Sequence, residues 1–259
     1  MNVFKINNLE IKIGDKTILK DINLDIKEGE VTCILGKNGC GKTTLLKTMC
    51  KDIKPTRGEI LLNNKNIRNI KPKEFSKEVA YLTQHRNIIT DLSVEELVSH
   101  GRFTHRKVFE KENLHHEEII KWAMEKANIY HMKDRLLSCL SGGELQRAWI
   151  AMNIAQKPKI LILDEPTTFL DISHQIEVLS LIRELNKSEN MTVIMVLHDI
   201  NHALRFCHNG VLIKNGKVYD FGIIREIINE KSIEDVFEIE VEKLESSRDI
   251  VYNPIEIRS

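Results

Sequence analysis

The residues Gly36-Lys37-Asn38-Gly39-Cys40-Gly41-Lys42-Thr43 have the spacing G-x-x-x-x-G-K-[ST] and directly follow the apolar run Val31-Thr32-Cys33-Ile34-Leu35. The chemistry of that pattern is phosphate binding. Glycines let the backbone curl with its N–H groups pointing inward, and a helix entered through Thr44 adds the positive end of its dipole. Lys42 is expected to reach the β- and γ-phosphates of a nucleotide, and the Thr43 hydroxyl to ligate Mg²⁺. The stretch Gly36 to Thr44 is therefore assigned to nucleotide binding, with Lys37 and Cys40 in free positions whose side chains need not touch phosphate.

Asp164 and Glu165 close a second apolar run, Ile160-Leu161-Ile162-Leu163, and precede Pro166. Carboxylates at the end of a buried strand stand where open parallel sheets present their ligand sites. Their expected roles differ: Asp164 holds Mg²⁺, and Glu165 polarises a water for in-line attack on the γ-phosphate. His198 ends a third run, Val193 to Leu197, and is expected at the same edge, close to the γ-phosphate. The last chemical feature is Leu140-Ser141-Gly142-Gly143-Glu144. Ser141 as N-cap with Glu144 three residues on makes a capping box, and two glycines leave the first helical turn bare beside a positive dipole end. This helix start lies about a hundred residues from the phosphate loop, so two copies placed head-to-tail would let each supply half of a shared site.

The elements that must position these groups are legible as periodicities. Apolar residues alternate at Leu9-Ile11-Ile13 and Ile22-Leu24-Ile26, the period-two pattern of half-exposed antiparallel strands. The three continuous apolar runs read as strands buried on both faces in a parallel sheet. Between them, from about residue 86 to 158, helical signals dominate, with capping boxes at Ser93-Glu96 and Ser141-Glu144. Val211 to Lys214 and Lys217 to Tyr219 flank Asn215-Gly216, a hairpin signal.

The bulk composition narrows the class of function. The 259 residues carry 38 Lys+Arg against 38 Asp+Glu, so no charge imbalance calls for nucleic acid. The N-terminus does not read as a signal peptide, and the apolar runs are far shorter than the roughly 20 residues that span a bilayer. Five cysteines form no C-x-x-C pair, which fits a reduced compartment. Cys40 and Cys139 adjoin the two halves of the expected site, either as small packing residues or as thiol-sensitive positions.

With these motifs in hand, the chain resembles the ATP-binding-cassette ATPases over nearly its whole length. The phosphate loop is followed in the family's order by Gln84 in Tyr81-Leu82-Thr83-Gln84 as Q-loop, Leu140 to Gln146 as signature, and Asp164 and Glu165 as Walker B and catalytic base. Leu170-Asp171 then matches the D-loop, and His198 the switch histidine. The resemblance implies an α/β fold: a P-loop NTPase (RecA-like) core with a mixed sheet, an N-terminal antiparallel β-subdomain and an inserted helical subdomain. The single domain would divide into a core of residues 1–85 and 159–225, a helical signature subdomain 86–158, and a C-terminal extension 226–259.

It also implies ATP and Mg²⁺ as cofactors, with Lys42, Gln84, Glu165 and His198 catalytic and Thr43, Gln84 and Asp164 around the metal. Ser141, Gly142, Gly143, Glu144 and Asp171 would join the nucleotide site. The implied partners are a second copy of the chain, two transmembrane permease subunits and, indirectly, an external substrate-binding protein. The implied location is peripheral, on the cytoplasmic face of the membrane.

Arg147-Ala148-Trp149-Ile150-Ala151-Met152, Pro166 to Gln175 and Gly101-Arg102-Phe103 are closer to the ATPases of importers for ferric siderophores, haem and cobalamin, and favour the ferric-siderophore branch. A cobalamin or haem importer ATPase, or a soluble non-transport cassette ATPase, is the alternative. One departure stands out: Ile13 precedes Gly14 where the family usually has an aromatic residue against adenine, which implies weak discrimination of ATP from GTP.

Overall fold

Alternating Leu and Ile residues near the N-terminus form two long paired strands. In the computed structural model, which describes residues 1–84, 91–105, 114–245 and 250–257, β1 (Asn2–Ile13) and β2 (Lys16–Lys27) run antiparallel. Leu9, Ile11, Leu19, Ile22, Leu24 and Ile26 are buried, with exposed polar residues between most of them, because successive side chains of a strand point to opposite faces. Next comes β3 (Val31–Leu35), buried at every position, and then α1 (Lys42–Met49). Strands β4 (Arg57–Leu62) and β5 (Lys65–Asn66) complete an antiparallel sheet in the order β2-β1-β4-β5.

The chain divides into two compact units, Met1–Ile70 with Ile194–Ser259, and Lys71–Val193. The second unit starts with α2 (Pro72–Glu78) and β6 (Val79–Leu82), followed by α3 (Val94–His100), α4 (Leu114–Lys126) and α5 (Gly142–Ala155). These last three helices pack on one another, and no strand occurs among the described residues between them. The expected start of the helical stretch, residue 86, lies outside the described residues. Strand β7 (Ile160–Leu163) pairs in parallel with β6 and leads to the long α6 (Ile172–Glu189). The boundary between the units falls within β8 (Thr192–Val196).

In the returning part of the first unit, α7 (Ile200–Phe206) precedes β9 (Asn209–Lys214) and β10 (Lys217–Ile223). Asn215 and Gly216, at φ 49° and 75°, form the turn between them, as a type I′ hairpin requires. Strand β3 pairs in parallel with β9, and β8 follows β3 in the order β10-β9-β3-β8. Helices α8 (Ile224–Ile227) and α9 (Glu230–Phe237) lead to a hairpin of β11 (Ile239–Glu245) and β12 (Ile250–Ile257). The fold is α/β, with a mixed sheet, an N-terminal antiparallel sheet and a helical group, as expected for a P-loop NTPase.

Candidate functional site

In the first unit, the end of β3 opens into the glycine loop. Gly36 approaches β9 so closely that a Cβ there would lie 2.3 Å from the Ile213 carbonyl oxygen. Gly41 is the N-cap of α1 at φ 109°, a conformation that only glycine adopts cheaply. It supplies no side-chain cap, and no acidic residue stands in the first turn. The electropositive start of α1 is thus left to an external anion.

Lys42 is 5% exposed, and its ammonium donates to the carbonyls of Gly36 (2.8 Å) and Lys37 (3.0 Å) at the centre of the loop. Lys37 turns away and pairs with Glu238 at 2.6 Å, on the rim of a cavity of about 180 Å³ that Asn38, Gly39, Cys40 and Lys214 also line. Burial pushes the Cys40 thiol up despite the nearby Lys42 charge. His198 leaves β8 next to this loop: Leu197 N–H donates to the Ile34 carbonyl at 3.3 Å, so the ends of β3 and β8 lie side by side. The imidazole is exposed. Ile13 ends β1 and is 54% exposed.

In the second unit, register does the positioning. Leu82 of β6 stands opposite Leu163 of β7, so Gln84 and Glu165, each two residues further on, emerge together. Gln84 Nε2 donates to Glu165 Oε2 at 2.5 Å, and the Thr168 hydroxyl donates to the same oxygen at 3.0 Å. Asp164 is 1% exposed; its N–H donates to the Leu82 carbonyl at 2.9 Å, and the Tyr81 hydroxyl lies 3.5 Å from Oδ2. Glu165 itself sits at φ 54°. A left-handed backbone at a residue with a side chain costs roughly 1–2 kcal/mol.

Ser141 caps α5 with the full capping box: its hydroxyl accepts from Glu144 N–H (3.3 Å), and the Glu144 carboxylate accepts from Ser141 N–H (2.7 Å). Of the two glycines, Gly142 is exposed and has only ordinary contact with a Leu170 methyl. Gly143 is buried, and a Cβ there would meet the His174 ring at 2.2 Å. Capping alone does not account for that glycine, whereas the ring does. Asp171 is the N-cap of α6 and accepts from His174 N–H at 2.9 Å.

The phosphate loop from Gly36 to Thr44, Ile13 and His198 therefore belong to the first unit, and Gln84, Ser141 to Glu144, Asp164, Glu165 and Asp171 to the second. The contacts of Tyr81, Thr168, His174 and Glu238 with these groups enter only with the structure. Thr168 and His174 each had a local signal, standing three residues after Glu165 and after the cap Asp171.

The ABC transporter family matches residues 19–168. The iron(3+)-hydroxamate import ATP-binding protein FhuC of Bacillus subtilis (strain 168) is 42% identical over 242 residues, which cover 93% of this chain and 90% of that protein. The petrobactin import ATP-binding protein FpuC of Bacillus anthracis is 39% identical over 252 residues, covering 97% of this chain and 93% of its own. The dimeric structure of MJ0796, a bacterial ABC transporter cassette, matches with a TM-score of 0.74 at 30% identity, covering 86% of this chain and 99% of the other. A bare, positively charged helix start behind a glycine loop and a strand-end carboxylate pair are the parts such a cassette needs, and on this combined ground the chain belongs to the ABC transporter family, as an ATPase.

Proposed function

We propose that this chain is the ATP-hydrolysing subunit of a membrane importer for ferric siderophores. It works as a head-to-tail dimer on the cytoplasmic face of the membrane, beneath two transmembrane permease subunits served by an external binding protein. The observation that carries this reading is the similarity over nearly the full chain to proteins named for iron(3+)-hydroxamate and petrobactin import. The described residues contain no helix long and apolar enough to cross a membrane, so in this reading the permease subunits supply the passage. The domain is divided as the motifs imply: a nucleotide core of residues 1–85 and 159–225, a helical signature part 86–158 and a C-terminal extension 226–259.

Each group then has a task. Backbone N–H groups from Gly36 to Thr44 and the Lys42 ammonium hold the phosphates, and Ile13 lies against the base. Thr43, Gln84 and Asp164 would hold Mg²⁺; a buried carboxylate at a strand end suits a hard cation that prefers one or two carboxylates plus phosphate oxygens. When bound, the ion neutralises charge that builds up between the β- and γ-phosphates. Glu165 takes the proton of the attacking water, with Gln84 and Thr168 fixing its Oε2 so that the carboxylate keeps one orientation. His198 contacts the γ-phosphate. Ser141, Gly142, Gly143 and Glu144, with Asp171, close on the nucleotide held by the partner copy.

The deciding experiment is labelled-substrate uptake by the transporter reconstituted with its permease, comparing ferric siderophores with haem and cobalamin. ATP-dependent uptake of a ferric siderophore supports the assignment; uptake of haem or cobalamin alone overturns it. Co-purification from membranes with two multi-spanning chains tests the assembly.

A further inference from the structure

Within the second unit, the segment after the acidic strand end is stitched to the first turns of α5. Gln146 Nε2 donates to the Pro166 carbonyl at 2.7 Å, and Arg147 pairs with Glu177 of α6. The Leu170 methyl lies 3.5 Å from where a Cβ on Gly142 would stand. At the centre is His174. Its ring fills the place where a side chain at position 143 would begin, with ring atoms 2.2, 2.6 and 3.0 Å from that Cβ position. The ring is held in turn by Asp171, whose Oδ1 lies 2.8 Å from Nδ1. A carboxylate only accepts, so Nδ1 carries the proton. The same oxygen accepts from His174 N–H (2.9 Å) and from the Ser173 hydroxyl (2.8 Å), so a single atom both caps α6 and fixes the imidazole.

We infer that His174 is a positioning residue for ATP hydrolysis: its ring passes the position of the Asp171 turn on to the Gly142–Gly143 backbone at the start of α5. The inference rests on the reading of Ser141 to Gly143 as the surface that meets the partner copy's nucleotide. His174 acts through Gly143, and glycine and ring are complementary in size. A flat ring fits there only over a residue without a Cβ, and that bare backbone is held in place by the ring. If the ring is lost, the first turn of α5 gains slack. A displacement of about 1 Å in such a group can cost on the order of 10²-fold in rate, so a part of that loss is expected here.

The test uses the full-length chain in its transporter, reading kcat and KM separately, with nucleotide affinity and melting temperature measured beside them. His174→Ala is expected to lower kcat about tenfold while nucleotide affinity stays within about twofold, because the phosphate loop is untouched. His174→Asn keeps a planar group, with an amide N–H near the position of Nδ1 and its oxygen near that of Cδ2 over Gly143, and should stay within about threefold of the wild type; His174→Gln sets that amide one methylene further out and should behave like His174→Ala. Gly143→Ala alone should impair turnover. In the double variant Gly143→Ala/His174→Ala the new methyl has room, so it should be no slower than His174→Ala.

Wild-type kcat in His174→Ala, equal loss in the Asn and Gln variants, or a double variant slower than either single variant each overturns the inference. If His174→Ala melts too low to assay, the Asn and Gln pair decides alone. Ser141→Ala separates the two levels. Normal turnover there removes the underlying reading of Ser141 to Gly143, whereas slow turnover there with normal turnover in His174→Ala removes only the role of His174.

Discussion

Helix α1 starts at Gly41, in the left-handed region, with no side-chain cap and no acidic residue in its first turn; α5 starts at Ser141 with a complete capping box and Glu144 in its first turn. Both ends carry the partial positive charge of unpaired N–H groups. In α1 that charge is reinforced by Lys42 and answered by nothing in its cap. In α5 the chain's own carboxylate already answers it. The contrast indicates a division of labour: α1 attracts the phosphates and sets affinity, while α5 contributes shape, through Ser141, Gly142 and Gly143, at the moment of closure. It follows that substitutions on the two sides should fail in different ways.

The largest expected effect separates binding from turnover altogether. Glu165→Gln keeps an acceptor for Gln84 and Thr168 but cannot take a proton, so turnover should fall by roughly 10²–10⁴-fold while ATP still binds. Near-normal hydrolysis would place the base elsewhere. Lys42→Ala comes next. It removes a charged donor that is 5% exposed and lies 2.8 Å from the Gly36 carbonyl. Charge-assisted hydrogen bonds contribute about 1.5–3 kcal/mol, so ATP affinity should drop roughly ten- to hundredfold. Ser141→Ala, by contrast, should leave the affinity of the isolated chain unchanged. Fluorescent-nucleotide titration of both variants checks this, and an equal loss in both would break the comparison.

A smaller effect concerns the carboxylate that α5 already holds. The N–H of Ser141, and after it the Ser141 hydroxyl, holds the Glu144 carboxyl below its usual value of 4.5. A pKa lowered by folding contributes stability that is present above the unfolded value and is lost as pH falls through the folded one. The melting temperature of the wild type should therefore fall more steeply below pH 4.5 than that of Glu144→Gln, which keeps a capping-box side chain but does not titrate there. Near neutrality the same substitution removes a negative charge from the helix start. ATP-driven dimerisation should then tighten by about two- to fivefold, following the 0.3–1 kcal/mol typical of a charge at a helix end. Sedimentation at varied ATP measures this, and weaker dimerisation would mean that Glu144 meets the partner's nucleotide through its carboxylate and not only through the helix start that it caps.

How far the sequence could be read depends on the range of each interaction. The phosphate loop, both capping boxes and the Asn215-Gly216 turn are set by residues within a few positions of one another, so their spacing carries the geometry. The Gln84–Glu165 hydrogen bond joins residues 81 apart and exists because β6 and β7 pair in one register out of several. The Lys37–Glu238 pair spans 201 residues and depends on where the end of α9 comes to rest. The second signature glycine is the most instructive case. From sequence it reads as a bare surface for phosphate, yet the group that demands it is the His174 ring, which no pattern around Gly143 announces.

An effect of comparable size lies at the base end of the nucleotide. Ile13 is 54% exposed at the end of β1 and offers an aliphatic face where an aromatic ring would stack. Ile13→Tyr should raise affinity for both purine nucleotides by about two- to tenfold, the 0.5–1.5 kcal/mol of an aromatic pair, while the wild type discriminates little between ATP and GTP. A strong ATP preference of the wild type in a competition assay would refute the second half of that statement. The first half bears on the two helix starts. Ile13 and the α1 loop both belong to the first unit and, in the proposed reading, touch opposite ends of one nucleotide. The effects of Ile13→Tyr and Lys42→Ala on affinity should therefore add, as they do for well-separated sites that do not touch each other. Turnover at saturating ATP should not change with Ile13→Tyr. If it did, the base end would take part in closure, and affinity and closure would no longer divide between α1 and α5.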